Sequence, residues 1–176
     1  MRKVFAIIAL AATLLSLLCG CGAGEEAPTT APLRSGLTPG EFIGNLEEML
    51  EPIADQYELV LGRRTVLDDG TVCQVATVEE TIIGNSCSLY IYSQEEDVEM
   101  IILEGKKRER TNLDFAVLSF YIYESTELPD MDADAFYDEF KLISPEPDGF
   151  MRIGEWLVGA RFTETRLTFS VSFSPD

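Results

Sequence analysis

Ser86-Cys87-Ser88-Leu89-Tyr90-Ile91-Tyr92-Ser93-Gln94-Glu95-Glu96-Asp97-Val98-Glu99-Met100-Ile101-Ile102-Leu103-Glu104 decides the fold. Two β-rich runs, Ser86 to Ser93 and Val98 to Glu104, flank a polar Gln94-Glu95-Glu96-Asp97 connection, the pattern of an antiparallel hairpin. With that turn at the centre, Leu89 faces Ile102 and Ile91 faces Met100, and these pairs lie against the core.

Working upstream, Tyr57, Leu59, Leu61 and Val66 suggest a strand. Asp68-Asp69-Gly70 makes a turn, and Thr71 to Val78 reads as a second strand with Val72, Val75 and Val78 among its apolar members. Ahead of these, Thr38 as N-cap, Pro39 at the first helical position and Glu41 three residues on form a capping box. Phe42, Ile43, Leu46, Met49, Leu50 and Ile53 follow at helical spacing, which predicts a helix from Pro39 to about Glu51 that ends at Pro52.

Downstream of the hairpin come Gly105 and a basic run, Lys106, Lys107, Arg108 and Arg110. It reads as a solvated loop balancing nearby carboxylates, or as a contact for an anionic headgroup or ligand. Thr111 and Asp114 offer an N-cap for Leu113 to Tyr123. That segment is apolar nearly all round and reads as a buried helix, although Phe120-Tyr121-Ile122-Tyr123 has strand propensity and leaves a strand open. Pro129 breaks the pattern, and Asp132 caps a helix from Ala133 to about Leu142 with Phe136, Phe140 and Ile143 on one side. After a loop from Ser144 to Gly149, Phe150 to Phe162 and Arg166 to Phe173 look like two strands. In the second, Leu167, Phe169, Val171 and Phe173 alternate with Thr168, Ser170 and Ser172.

The expected architecture is therefore α+β, one antiparallel sheet with helices packed on one face, in the order α-β-β-β-β-α-α-β-β. A helix-then-strands unit occurs twice, but no residue pattern repeats convincingly.

The chain opens differently. Arg2 and Lys3 precede an apolar run from Val4 to Leu18, fifteen residues long. That is shorter than the roughly twenty needed to span a bilayer, and its flanks are those of a secretory signal. Leu18-Cys19-Gly20-Cys21 closes it. This stretch resembles the signal and lipobox of bacterial lipoproteins, in which Leu, a small residue and Gly or Ala precede an invariant Cys. Leu18, Gly20 and Cys21 match, and Cys19 is a departure at the second position. The resemblance implies that Cys21 receives a diacylglycerol, that residues 1–20 are removed, and that the protein is held on the extracytoplasmic face of the cell membrane. Each buried methylene contributes about 0.8 kcal/mol, so two chains hold where one is marginal. Residues 21–37 then form an acylated cysteine and a flexible linker with Glu25, Glu26, Pro28 and Pro32, leaving 38–176 as a single α+β domain.

Two of the 13 basic residues and none of the 31 acidic ones precede Cys21, so the processed chain carries a formal charge near −20. Such a surface repels nucleic acid and anionic lipid. The chain has no histidine, which removes the usual general base, the usual zinc ligand and every Ser-His or Cys-His pairing. No Gly-rich phosphate loop is present, and no cofactor is implied.

Cys73 and Cys87 are the remaining thiols. Outside the cytoplasm such a pair reads first as a disulfide worth roughly 3 kcal/mol, with two unbridged buried thiols as the alternative. Asp130, Asp132 and Asp134 alternate like half of a calcium loop. Ala135 and Lys141 stand where that loop needs Gly and a bidentate Glu, so helix capping is the simpler reading and no metal site is assigned. Tyr90, Tyr92, Tyr121, Tyr123 and Trp156 read as core and cross-strand residues, or as an aromatic platform. No catalytic residue stands out. The functional expectation is a non-catalytic binding or interaction domain on a lipid anchor. The alternative is a carboxylate-based hydrolase of cell-wall or extracellular polymer.

Overall fold

The computed structural model describes residues 34–80, 86–106, 111–126, 128, 131–143 and 149–175. Among them, helix α1 (Pro39–Leu50) runs into a 3-10 turn (Glu51–Ile53), followed by strands β1 (Tyr57–Val66), β2 (Val72–Glu80), β3 (Ser86–Gln94) and β4 (Asp97–Lys106). Helices α2 (Thr111–Glu124) and α3 (Ala133–Ile143) come next, then strands β5 (Phe150–Ile153), β6 (Trp156–Phe162) and β7 (Arg166–Phe173). The strands form one sheet in the order β1-β2-β3-β4-β7-β6-β5, and every neighbouring pair is antiparallel.

The α+β class and the antiparallel sheet are as expected, but the element order needs one correction. Phe150 to Phe162 is two strands, because Ile153 pairs with Trp156 across a tight turn in which Gly154 takes a positive φ of 59°. A thirteen-residue run exceeds the usual strand length, and a glycine in a left-handed conformation is where such a run folds back. Three strands therefore follow the helices.

The central hairpin needs a second correction. Gln94 pairs with Asp97, leaving a two-residue turn, but Leu89 pairs with Leu103 and Ile91 with Ile101. The register shifts by one between Tyr92 and Ser93, whose partners are Met100 and Val98. Glu99 is the extra residue of this bulge. Its physical reason is the apolar spacing: Val98 and Ile101 are three apart, so only an added residue lets both point inward. Val98, Ile101 and Leu103 are all fully buried, whereas Met100 and Ile102 are half-buried on the opposite face.

The turn residues Glu95 and Glu96 both take positive φ, 50° and 75°, a conformation that suits Asn-Gly better than Glu-Glu. Arg34 offsets this from outside the hairpin, pairing with Glu95 and, at 3.2 Å, with Asp97. Gly36 N–H donates to Asp97 Oδ1 at 3.2 Å, Val98 N–H donates to the Leu37 carbonyl at 2.8 Å, and Leu37 is buried. The globular unit accordingly begins ahead of Thr38, and Leu33–Asp176 form one compact unit.

Helix α1 has the expected capping box. Glu41 N–H donates to Thr38 Oγ1 at 3.2 Å, and Thr38 N–H donates to Glu41 Oε2 at 2.9 Å. Phe42, Leu46 and Leu50 are its buried face. Helix α2 is a helix, not a strand. It is apolar all round because it is covered on several sides: Phe115 meets Phe162 of β6 with ring centroids 6.0 Å apart, and Phe120 and Tyr123 each meet Phe136 of α3 at 5.3 Å. On the α1 side, Asn45 Nδ2 donates to the Ser125 carbonyl at 3.2 Å.

The helices pack on one face of the sheet, the inner face. Leu89, Leu103, Phe169 and Ala160 form one buried cross-strand row on it, and Ile91, Ile101, Val171 and Val158 the next. Phe136 and Phe140 of α3 stand over Phe169 at centroid distances of 6.0 and 6.1 Å. Among the described residues the buried core runs from Leu37 to Val171, all of it within the compact unit.

Candidate functional site

Cys21, the expected lipidation site, and the rest of residues 1–33 lie outside the described residues, as do Lys107 to Arg110, the Thr111 and Asp114 side chains and Asp130. The other sequence candidates are dispersed by the sheet.

Cys73 and Cys87 are not bridged, and the register explains why. Cys73 pairs with Tyr92, whereas Cys87 pairs with Val78. Directly opposed residues share a face and alternate residues switch it. The Tyr92 row, with Met100 and Ser172, is on the outer face, while the Val78 row continues through Gly105 to Leu167 on the inner one. The two thiols thus point to opposite sides of the sheet, which no disulfide spans. The expected bridge is corrected to the alternative reading, two unbridged thiols. Burial pushes the Cys73 thiol up, against a smaller downward pull from its hydrogen bond with Tyr92. The same burial, together with the Cys73 charge, raises Tyr92 to about 12. Both are neutral at physiological pH, and a raised thiol is a poor nucleophile.

The five aromatics do not make one platform. Tyr123 and Trp156 are buried, Trp156 stacks edge-on against Phe173 at 5.3 Å, and Tyr121 is on α2. Only Tyr90 and Tyr92 share a surface, the outer face of β3. Asp132 caps α3 by accepting from Ala135 N–H at 2.8 Å, as the capping reading requires. Among the described residues no group of three or more His, Cys, Asp or Glu could hold a metal ion, and no helix is long and apolar enough to cross a membrane.

The carboxylates with displaced acidities have local explanations. Burial raises Glu99 at the bulge, and the charge of Asp69 adds to it. Asp69 is itself held low by its hydrogen bonds with Thr71, whose N–H donates to Asp69 Oδ1 at 2.9 Å and closes the β1–β2 turn. Their acidities are pushed apart, and both sit at exposed hairpin ends.

What sequence reading missed is the outer face itself. On β2, β3 and β4 it carries Val75, Tyr90, Tyr92, Met100 and Ile102, all half-buried, and among the described residues the helices lie on the other face. The alternation was visible in Tyr90, Tyr92 and Ile102, but the expected register turned Met100 and Ile102 inward. No protein-family model, no curated protein and no solved structure matches this chain.

Proposed function

We propose that this is a bacterial lipoprotein, anchored through a diacylglycerol on Cys21 and presenting a non-catalytic α+β unit for binding or structural interaction on the extracytoplasmic face of the cell membrane. The observation that carries the reading is the apolar run Val4 to Leu18 closed by Leu18-Cys19-Gly20-Cys21. A fifteen-residue run is a signal core and not a span, and the bulk of Leu18 before Cys19 favours Cys21 as acceptor. The chain's lack of histidine supports a binding role over catalysis.

Metabolic labelling with a fatty-acid analogue tests the anchor. The wild-type chain and Cys19→Ser are expected to take the label and fractionate with membranes, and Cys21→Ser to lose both. Labelling that survives in Cys21→Ser would move the site, and none in wild type would remove the anchor. Release of soluble fragments from cell-wall polymer by the purified unit would overturn the non-catalytic half.

A further inference from the structure

We propose that the outer face of the sheet docks a second copy of this chain, sheet against sheet, about a twofold axis running parallel to the strands above β4. The inference does not depend on the lipid anchor.

An antiparallel sheet with one solvated face alternates apolar inward and polar outward. Strands β3 and β4 break that rule, with Tyr90 and Tyr92, and Met100 and Ile102, on the outer side. Strand β7 keeps it, presenting Thr168, Ser170 and Ser172. Large apolar groups therefore crowd the outer side of β3 and β4 and small hydroxyl groups that of β7, with Leu157 on β6 and Phe150 on β5 beyond them. Since β4 is the middle strand of the seven, a twofold above it lays β3 of one copy on β7 of the other. The tyrosines then meet serines, the large-on-small facing that lets two layers interdigitate.

Charge follows the same division. One row of paired residues runs Val60, Thr77, Ser88, Glu104, Thr168, Arg161 across the sheet. Glu79 and Glu58 pair with each other two residues beyond Thr77 and Val60, so acids lie on the β1–β2 side towards the end at which Arg161 lies on β6. An axis parallel to the strands preserves position along them and exchanges the two sides. It lays β2 of each copy over β6 of the other, twice per dimer, with Thr77 over Arg161 and Glu79 two residues, about 7 Å, further along the strand, within reach of the long Arg161 side chain. The alternative twofold, across the strands, would not. Six inter-strand spacings of roughly 4.8 Å and about seven residues of strand give about 700 Å² per copy, near the ~800 Å² of an ordinary stable interface. The net negative charge of the chain opposes association, but over distances beyond ~8 Å it is screened at physiological salt.

The experiment uses the Leu33–Asp176 unit with Cys73→Ser and Cys87→Ser, in about 0.15 M salt. Sedimentation equilibrium is expected to give a dimer. Arg161→Glu should weaken it by about tenfold or more, as like charges opposed at an interface do, and Glu79→Arg added to it should restore it. Ile102→Cys lies at the axis and should form a disulfide-linked dimer on mild oxidation while keeping the parent's thermal midpoint. A monomer at millimolar concentration would overturn the proposal. So would a dimer that ignores Arg161→Glu or lacks the Ile102→Cys cross-link, since pairing along the β1 edge would give that result. If the unit dimerises but the full chain in mild detergent stays monomeric, the cover is the chain's own N-terminal stretch and the proposal fails.

Discussion

Glu99 shows how much one residue decides. It is the added residue of the β4 bulge, and by its presence Val98, Ile101 and Leu103 all reach the inner face. Removing it leaves Val98, Met100, Ile101, Ile102 and Leu103 in plain alternation, so its deletion is expected to be tolerated at a cost of about 1 kcal/mol. Deleting Ile102 instead would swing Leu103 outward, with a loss of about 2–5 kcal/mol. Denaturant titration of the two variants checks this, and equal destabilisation would refute the bulge. The clue in the sequence was the three-residue spacing of Val98 and Ile101. It was outweighed by the symmetry of the turn, because every residue between them is compatible with a strand.

Gly105 is decided by space and not by backbone freedom. A Cβ there would stand 3.1 Å from the Phe115 ring and 3.2 Å from Cys87 Sγ, both in the helix-covered core. Gly105→Ala is expected to cost about 1–3 kcal/mol, read as a lower thermal midpoint. Combining it with Phe115→Leu should recover part of the loss, because the contact belongs to that ring.

Among the elements, α1 was the most legible, because its signals are local. Thr38, Pro39 and Glu41 sit at fixed offsets and need nothing from the rest of the chain. Thr38→Ala should cost about 1 kcal/mol. The Glu41 carboxylate is held below its ordinary value of 4.5 by the Thr38 hydroxyl first and the Thr38 N–H second. A depressed acid contributes stability that is complete above its unfolded value and fades as pH falls through the folded one. The difference in melting temperature between wild type and Glu41→Gln should therefore be present at pH 7 and shrink below about pH 4.5. A difference that grows in acid would contradict the cap.

Strand β1 was legible as a strand but not as an edge. Leu61 and Val66 look like core residues in the sequence and are 51% and 67% exposed, since nothing local says whether a neighbour lies beyond. The strand carries its own protection. A bulge between Leu61 and Arg64 interrupts its pairing with β2, and Arg63 and Arg64 place charge on the edge, two devices that discourage pairing with a further strand. Gly62 fits this bulge because a Cβ would come within 3.0 Å of the Val75 carbonyl oxygen.

For the whole molecule, the class was readable from strand and helix periodicity, whereas strand order and face were not. The sheet order puts β7 beside β4 and sends β5 to the far edge, a long-range choice made by the two helices that must be covered between them. The candidate sites suffered most from this, because the sheet separates residues that are close in sequence. The two thiols are the clearest case. In the native unit, a Cys73–Cys87 cross-link is geometrically barred, but the unfolded chain can close that short loop readily. An oxidant acting before the sheet assembles would lock in a species that cannot complete it. Refolding of Leu33–Asp176 in oxidised glutathione is therefore expected to give a lower yield than under reducing conditions, and Cys73→Ser should abolish the difference. Native material, denatured without reductant, should take up two alkyl groups per chain. In an oxidising compartment, then, haste is a virtue for this chain: it must hide its sulfurs from one another before chemistry finds them together.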